Sequence, residues 1–208
     1  MNMIERKPTG LDLLEAEMAR QQAEASQSFA NNRSMAKRIA EATAKPGRLL
    51  LVGMGASHYA NRIVEPCYRR LGIHAWAITA AEFLRFPPPG ASTVILVSQS
   101  GESGEIVQIL DQKHKLGQNA IGLTLDAAST LGRALPSLAG VGGGEIAFAA
   151  TRSLTVTLAL HAAVLAALEP QNKEAGEAFE WPALPNVGKA LRALAPASTI
   201  VVSGTGAL

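Results

Sequence analysis

The chain has 208 residues, of which 48% are hydrophobic, 17% are charged and 4% are aromatic, and its formal net charge is +2. A chain of this length buries roughly 70% of the surface that it exposes when unfolded, so its core needs neither disulfides nor a structural metal. The single cysteine, Cys67, excludes an internal disulfide, and the small charge excess, with no basic run among aromatic residues, predicts no nucleic-acid partner.

The N-terminal residues 1–44 are predicted to form a helical arm. Residues 11–43 are rich in Ala, Glu, Gln, Arg and Met, and Pro8, Thr9 and Gly10 precede them as a helix start. We expect two helices here that break near residues 26–28. The first residues carry charges with no apolar segment behind them, so we expect no secretory signal and a cytoplasmic protein.

Residues 45–170 are predicted to form one α/β domain. The predicted strands are residues 48–52, 75–78, 93–97, 120–125 and, more weakly, 138–141, and the predicted helices are residues 58–71, 104–115 and 151–168. Continuous apolar strands that alternate with helices are typical of a doubly wound parallel sheet covered on both faces. In such sheets ligands bind beyond the carboxyl ends of the strands.

The last residues predict a linker and the start of another domain. Residues 171–195 contain a polar, proline-containing linker and a short helix at 186–194, and a strand is predicted at 198–202. That strand runs into a Gly-x-Gly turn, as the strand at 48–52 does. We therefore expect residues 196–208 to begin a second copy of the domain, and the chain to be part of a longer tandem protein.

Several partner classes have no support in the sequence. The longest apolar stretch, residues 154–168, is shorter than the roughly 20 residues that a membrane span requires, so we expect a buried helix and no membrane partner. No spacing of His, Cys, Asp or Glu indicates a metal site. We expect no cofactor either, because the Gly-x-Gly turn at Gly53 and Gly55 has His58 where a dinucleotide fingerprint needs its third glycine.

The first strand-to-helix turn has small residues and a hydroxyl at a helix start, Gly53-Met54-Gly55-Ala56-Ser57. Backbone amides and the positive end of the helix dipole favour an anion at such a place. Ser57 has two interpretations at this point: it binds an anion, or it caps the helix as many serines do.

The second turn, Ser98-Gln99-Ser100-Gly101-Glu102-Ser103, follows the strand at 93–97. Three hydroxyls and an amide lie at the carboxyl end of a central strand, where glycine lets the backbone approach a ligand and a helix begins. This pattern predicts a phosphate site built without Lys or Arg. Glu102 in the same turn would be repelled by a phosphate, so we expect it to face a helix N-terminus or a sugar hydroxyl.

Both turns resemble the signatures of the SIS (sugar isomerase) domain family of phosphosugar isomerases and phosphosugar-binding proteins. The resemblance implies a flavodoxin-like, five-stranded parallel sheet, with a sugar phosphate bound by these loops. Carried over by position, the implied phosphate ligands are Ser57, Ser98, Gln99, Ser100 and Ser103, with Gly55 and Glu102 beside them.

A third segment, residues 142–152, resembles part of the isomerase half of glucosamine-6-phosphate synthase and its relatives. Where those proteins have Ser-Thr-Lys, this chain has Ala150-Thr151-Arg152, so one sugar-hydroxyl contact is missing. Glu145 is the candidate acid/base catalyst, because apolar Ile146 and Phe148 would raise its pKa by burial. The alternative is that Glu145 binds a backbone amide or a sugar hydroxyl and organises the loop.

The residues and the resemblance together predict a protein that binds a hexose or hexosamine phosphate. The first hypothesis is part of a tandem aldose-ketose isomerase or amino-sugar-phosphate isomerase/deaminase that acts through an enediol. The alternatives are a non-catalytic sugar-phosphate sensor and a single-domain phosphoheptose or hexulose-phosphate isomerase whose site a neighbouring subunit completes. The positive mean hydropathy of +0.14 and the small charged fraction favour a homodimer.

Overall fold

The computed structural model describes residues 8–43, 47–88, 91–112, 116 and 119–168. Its strands are β1 Arg48–Gly53, β2 His74–Thr79, β3 Ala91–Val97, β4 Ala120–Thr124 and β5 Ser137–Ala139. Its helices are α1 Gly10–Asn31, α2 Arg33–Thr43, α3 Gly55–Arg70, α4 Ala80–Arg85, α5 Gly104–Asp111, α6 Thr130–Ala134 and α7 Arg152–Leu168.

The five strands form one sheet in the order β2-β1-β3-β4-β5, and every neighbouring pair is parallel. The winding reverses between β1 and β3, so the loops after these two strands lie side by side at the carboxyl edge of the sheet. The predicted α/β class and five-stranded parallel sheet are confirmed. Apolar runs such as Leu49–Val52, buried on both faces of the sheet, are the reason why the pattern could be recognised.

Helix α7 lies on one face of the sheet and is covered in turn by α1, α2 and α3. Its Leu160 and Val164 pack in the same core as Leu49 and Ile95 of the sheet. This cover on several sides explains why an almost wholly apolar helix is buried in a globular domain. Across the described residues, the helices are too short or too polar to cross a membrane.

The N-terminal region contains two helices, as predicted, but they break at Asn32 and not near residues 26–28. The Asn32 side chain donates to the carbonyl oxygens of Ser28 and Ala139 and accepts from the amide of Ala139, which ends α1 against β5. Ser28 stays inside the helix because its hydroxyl is buried and accepts from the amide of Val141. Thr9 begins α1 with a capping box to Asp12, as the sequence indicates.

Two short helices, α4 and α6, are absent from the predicted elements. Each begins at a hydroxyl cap, Thr79 for α4 and Ser129 for α6, and each is shorter than two turns. The predicted linker at 171–195, its helix at 186–194, the strand at 198–202 and the domain start at 196–208 lie outside the described residues. The domain bounds therefore stay predictions.

His161 lies at the centre of α7 and is completely buried. Its Nδ1 is 3.2 Å from the Tyr68 hydroxyl and its Nε2 is 3.2 Å from Asn61 Oδ1, so both nitrogens of the neutral ring have a partner. Burial lowers the pKa of His161 to about 3. His161 is therefore a core residue whose hydrogen bonds are satisfied within the fold.

The low pKa of His161 predicts a pH-dependent stability. Below about pH 6.5 the unfolded chain binds a proton that folded His161 does not bind until about pH 3, so stability falls as the pH drops through this window. The slope approaches about 1.4 kcal/mol per pH unit. Urea unfolding at about pH 7 and pH 5.5 should show a smaller loss for His161→Gln than for the wild type. His74→Gln, at an exposed histidine, is the control; equal losses in all three proteins would contradict the account.

Candidate functional site

A cavity of about 270 Å³ opens at the carboxyl edge of the sheet, where the loops after β1, β3, β4 and β5 meet. Its lining includes five of the predicted site residues, namely Ser57, Gln99, Ser100, Ser103 and Glu145. The lining also includes Met54, Ala56, Leu125, Gly144 and Ser153. Gly55, Ser98 and Glu102 do not line this cavity. None of the described lining residues is a lysine or an arginine.

The turn between β1 and α3 presents a helix N-terminus to the cavity. Met54 occupies the capping position and its side chain makes no capping hydrogen bond. Gly55 follows with a φ of +52°, a left-handed conformation that favours glycine. Ser57 lies within the first turn and is buried, so it is not the cap of α3, and the capping interpretation of this serine is wrong.

The loop between β3 and α5 is held by Ser98, which is buried beneath it. The Ser98 hydroxyl accepts from the amide of Gly101 at 3.0 Å and lies 2.9 Å from the Ser103 hydroxyl. Ser98 therefore shapes the loop from below, while Ser100 and Ser103 line the cavity. Ser103 is also the capping residue of α5 but makes no capping hydrogen bond there, which leaves this second helix N-terminus open.

Gln99 is part of the cavity lining. Its main-chain carbonyl accepts from the amide of Leu125, which joins the β3 loop to the β4 loop. Its side-chain Nε2 is buried and has no hydrogen-bond partner in the protein. A buried donor without a partner costs about 1–3 kcal/mol, so a ligand that accepts from it gains this free energy on binding.

Glu102 turns away from the cavity. Its carboxylate accepts from the amide of Thr130 at 2.6 Å and from the Thr130 hydroxyl at 2.8 Å, at the start of α6. These hydrogen bonds hold the pKa of Glu102 below its ordinary value. This is the helix N-terminus contact that the sequence suggested for a carboxylate beside a phosphate site.

Glu145 makes hydrogen bonds to the first residues of α7. Its carboxylate accepts from the amides of Thr151, Arg152 and Ser153 and from the hydroxyls of Thr151 and Ser153. Partial burial raises the pKa of Glu145, but hydrogen bonds from Ser153 and Thr151 outweigh it and leave the pKa below its ordinary value.

The raised pKa expected for Glu145 is therefore wrong. The side chains of Ile146 and Phe148 that were to bury it are 74% and 78% exposed. A carboxylate with a lowered pKa and several donors is a weak base. The contacts agree with the alternative that the sequence left open, in which Glu145 binds backbone amides and organises the loop.

Arg152 is the largest completely buried side chain of the described chain. Its guanidinium forms ion pairs with Glu17 and Glu24, both on α1, and donates to the carbonyl oxygens of Gly143 and Gly144 at 2.9 and 3.0 Å. Burial raises the pKa of Glu17, but the amide of Ile146 and the Arg152 guanidinium donate to its carboxylate and bring the pKa below its ordinary value. The buried charge is thus paired with carboxylates 128 and 135 positions away.

Ser153, Glu17 and Arg152 were not predicted as part of the site. Ser153 has a local signal, because it is the last of three consecutive polar residues, Thr151 to Ser153, at the start of α7. Glu17 has none, since it is one of several acidic residues in α1. In the described part of the chain, no group of three His, Cys, Asp or Glu side chains is placed to hold a metal ion.

Relatives of this chain are found among the glutamine–fructose-6-phosphate aminotransferases (isomerizing). The protein from Sulfurisphaera tokodaii is 27% identical over 139 residues, which cover 66% of this chain and 24% of the relative. The protein from Bacillus licheniformis is 33% identical over 149 residues, which again cover 66% of this chain and 24% of the relative. The chain therefore spans about a quarter of the length of these relatives. No family model matches it.

Solved structures with the same fold include the tagatose-6-phosphate ketose/aldose isomerase from Escherichia coli, with a TM-score of 0.61, 21% identity and coverage of 78% of this chain and 48% of that one. The C-terminal domain of glucosamine-fructose-6-phosphate aminotransferase from Francisella tularensis has a TM-score of 0.62 and 20% identity. The match covers 88% of this chain and 53% of that domain. The sugar isomerase domain of an RpiR transcription factor from Sphaerobacter thermophilus has a TM-score of 0.61 and 18% identity. The match covers 78% of this chain and 92% of that domain.

The parallel sheet and its loops thus have the fold of a SIS (sugar isomerase) domain, as the resemblance predicts. Within that class, the chain is homologous to part of the isomerizing glutamine–fructose-6-phosphate aminotransferases.

The β3 loop makes a prediction about Gly101. Its φ is +69° and a Cβ there would overlap the Ser129 side chain, whereas Gly72 has a φ of +76° and open space around it. Both alanine variants have backbone strain, but only Gly101→Ala also has an overlap in a packed loop. We expect Gly101→Ala to lower the free energy of unfolding by about 1–3 kcal/mol more than Gly72→Ala does, measured by chemical denaturation. Equal losses would mean that the loop is not packed against Ser129.

Proposed function

We propose that the chain binds a sugar phosphate in this cavity, with the phosphate held by the β1 and β3 loops. The observation that carries the proposal is the convergence of neutral donors on one cavity. Ser57, Ser100 and Ser103 supply hydroxyls and Gln99 supplies a buried amide without a partner, beside the uncapped N-termini of α3 and α5. Backbone amides and helix dipoles of this kind favour a phosphate dianion.

The relatives and structures support the same ligand class. The relatives' own names include fructose 6-phosphate, and one of the similar structures is a ketose/aldose isomerase named for tagatose 6-phosphate. We propose a hexose or hexosamine phosphate as the ligand, and we propose that the chain is part of an aldose-ketose or amino-sugar-phosphate isomerase/deaminase. Such chemistry moves a proton between two carbons through an enediol and requires a base near neutrality.

A second candidate, a sugar-phosphate sensor without turnover, is favoured by the state of Glu145. This residue is the single ionisable side chain among the described lining residues, and its carboxylate is occupied by the first turn of α7. A sensor needs the phosphate loop but no base. An isomerase of this construction would take its base from a second domain or a neighbouring subunit.

We also propose a cytoplasmic homodimer. Tyr59 and Ile63 lie one turn apart on α3 and are 67% and 55% exposed. An isologous interface would remove such paired apolar side chains from water in both copies. Light scattering would give twice the 21.7 kDa chain mass for a dimer, and the mass of a single chain would contradict it.

The binding proposal predicts a ligand-dependent stability. Fructose 6-phosphate, glucosamine 6-phosphate, sedoheptulose 7-phosphate and inorganic phosphate would each be added to the purified chain during unfolding. A ligand at a hundred times its dissociation constant raises the free energy of unfolding by about 2.7 kcal/mol. We expect at least one sugar phosphate to do so for the wild type. The double variant Ser100→Ala/Ser103→Ala should lose this gain, because the ligand loses two donors.

Ser34→Ala is the matched control, because Ser34 is exposed on α2 and does not line the cavity. Stabilisation that survives in the double variant, or that is absent from the wild type, would overturn the binding proposal. Analysis of the incubated sugar phosphates then separates the two candidates. Interconversion of aldose and ketose favours the isomerase, and binding without interconversion favours the sensor.

A further inference from the structure

The loop of residues 142–145, here called the glycine loop, forms the part of the cavity wall that contains Gly144 and Glu145. The guanidinium of Arg152 donates to the carbonyl oxygens of Gly143 and Gly144 from behind this loop. The loop therefore has its position set by a buried cation that does not itself line the cavity.

That cation depends on the N-terminal helix. Glu17 and Glu24, both on α1, pair with Arg152, and Glu17 also accepts from the amide of Ile146 at 3.0 Å, directly after the glycine loop. Glu17 is 3% exposed and Arg152 is fully buried, so neither charge is compensated by water. Removing the charge of Glu17 leaves the buried Arg152 with Glu24 in place of two carboxylates, and such an under-compensated buried charge favours rearrangement of the structure around it.

The glycine loop is shaped around this ion pair. Gly142 has a φ of +91°, and a Cβ at this position would overlap Glu24 Oε2 and Arg152 Nη1. Gly143 has a similar φ of +68°, but a Cβ there would point into open space. The absence of a side chain at Gly142 lets the pair of Glu24 and Arg152 pass beside the loop.

We propose that Glu17 and Arg152 are positioning residues for the sugar part of the ligand, so that helix α1 sets the shape of the cavity wall opposite the phosphate loop. This inference rests on the proposed sugar-phosphate binding. The phosphate donors lie on the β1 and β3 loops, which make no contact to either residue among the hydrogen bonds and ion pairs of the described residues. Displacing the glycine loop should therefore weaken binding of the sugar and leave phosphate binding unchanged.

The test compares two ligands on one variant. Glu17→Gln keeps an oxygen for the amide of Ile146 but removes the negative charge beside Arg152. Dissociation constants would be measured by calorimetry, at a temperature where circular dichroism shows the variant to be folded, for the best-stabilising sugar phosphate and for inorganic phosphate. We expect the affinity for the sugar phosphate to fall about tenfold or more, because the loss of one ordinary hydrogen bond to the sugar changes a dissociation constant by about this factor. The affinity for inorganic phosphate should stay within about twofold, since its donors are untouched.

Arg20→Gln is the control, because the partly exposed Arg20 pairs with the same two glutamates from the solvent side. The Arg20 guanidinium itself faces solvent, which screens its charge, so this variant should bind both ligands like the wild type. If Glu17→Gln does not fold, Gly142→Ala against Gly143→Ala gives the same comparison. Only the first of these two displaces the ion pair, so only the first should lose sugar-phosphate affinity.

The outcomes are distinct. Equal loss of both ligands in Glu17→Gln, or no loss in a folded variant, would overturn the positioning role. Equal sugar-phosphate affinities in Gly142→Ala and Gly143→Ala would overturn it as well. A wild type that binds no sugar phosphate would overturn the proposed function, and the inference with it. Arg152→Lys keeps the charge but not the planar set of donors, so a selective but smaller loss of sugar affinity is expected from it.

Discussion

The buried guanidinium of Arg152 is the constraint on which the site depends. A cation without water is costly unless it is paired and its donors are satisfied. Here Glu17 and Glu24 supply the opposite charge, and the carbonyl oxygens of Gly143 and Gly144 accept from Nη2 of the guanidinium. One side chain therefore ties α1, the glycine loop and the first turn of α7 together. Glu145 also connects the glycine loop to α7, because its carboxylate accepts hydrogen bonds from backbone amides at the start of that helix.

The opposite part of the cavity is built without any cation. Ser98 holds the β3 loop from below through Gly101 and Ser103, and the N-termini of α3 and α5 point toward the cavity without side-chain caps. Neutral donors bind an anion with moderate strength, which suits a ligand that must be released. The paired charges of Glu17, Glu24 and Arg152 thus lie behind the glycine loop, where they set its shape, and the proposed anion site is left to hydroxyls, amides and helix dipoles.

The parts that could be predicted from the sequence are those with a local signal. The strands are continuous apolar runs, and the proposed phosphate loop is contiguous from Ser98 to Ser103, so neither depends on distant residues. The pairing of Glu17 with Arg152 joins positions 135 residues apart and has no such signal. The pKa of Glu145 was predicted in the wrong direction because its apolar neighbours in sequence point to solvent, while donors from the next helix surround the carboxylate.

The most direct test of the account is a crystal structure of the chain with the best-stabilising sugar phosphate bound. The account predicts phosphate oxygens within about 2.7–3.1 Å of the hydroxyls of Ser100 and Ser103 and of the Gln99 amide. It also predicts the sugar carbons against Gly144. A phosphate bound elsewhere, or one in contact with a lysine or an arginine, would contradict the claim that this cavity recognises the anion through neutral donors alone.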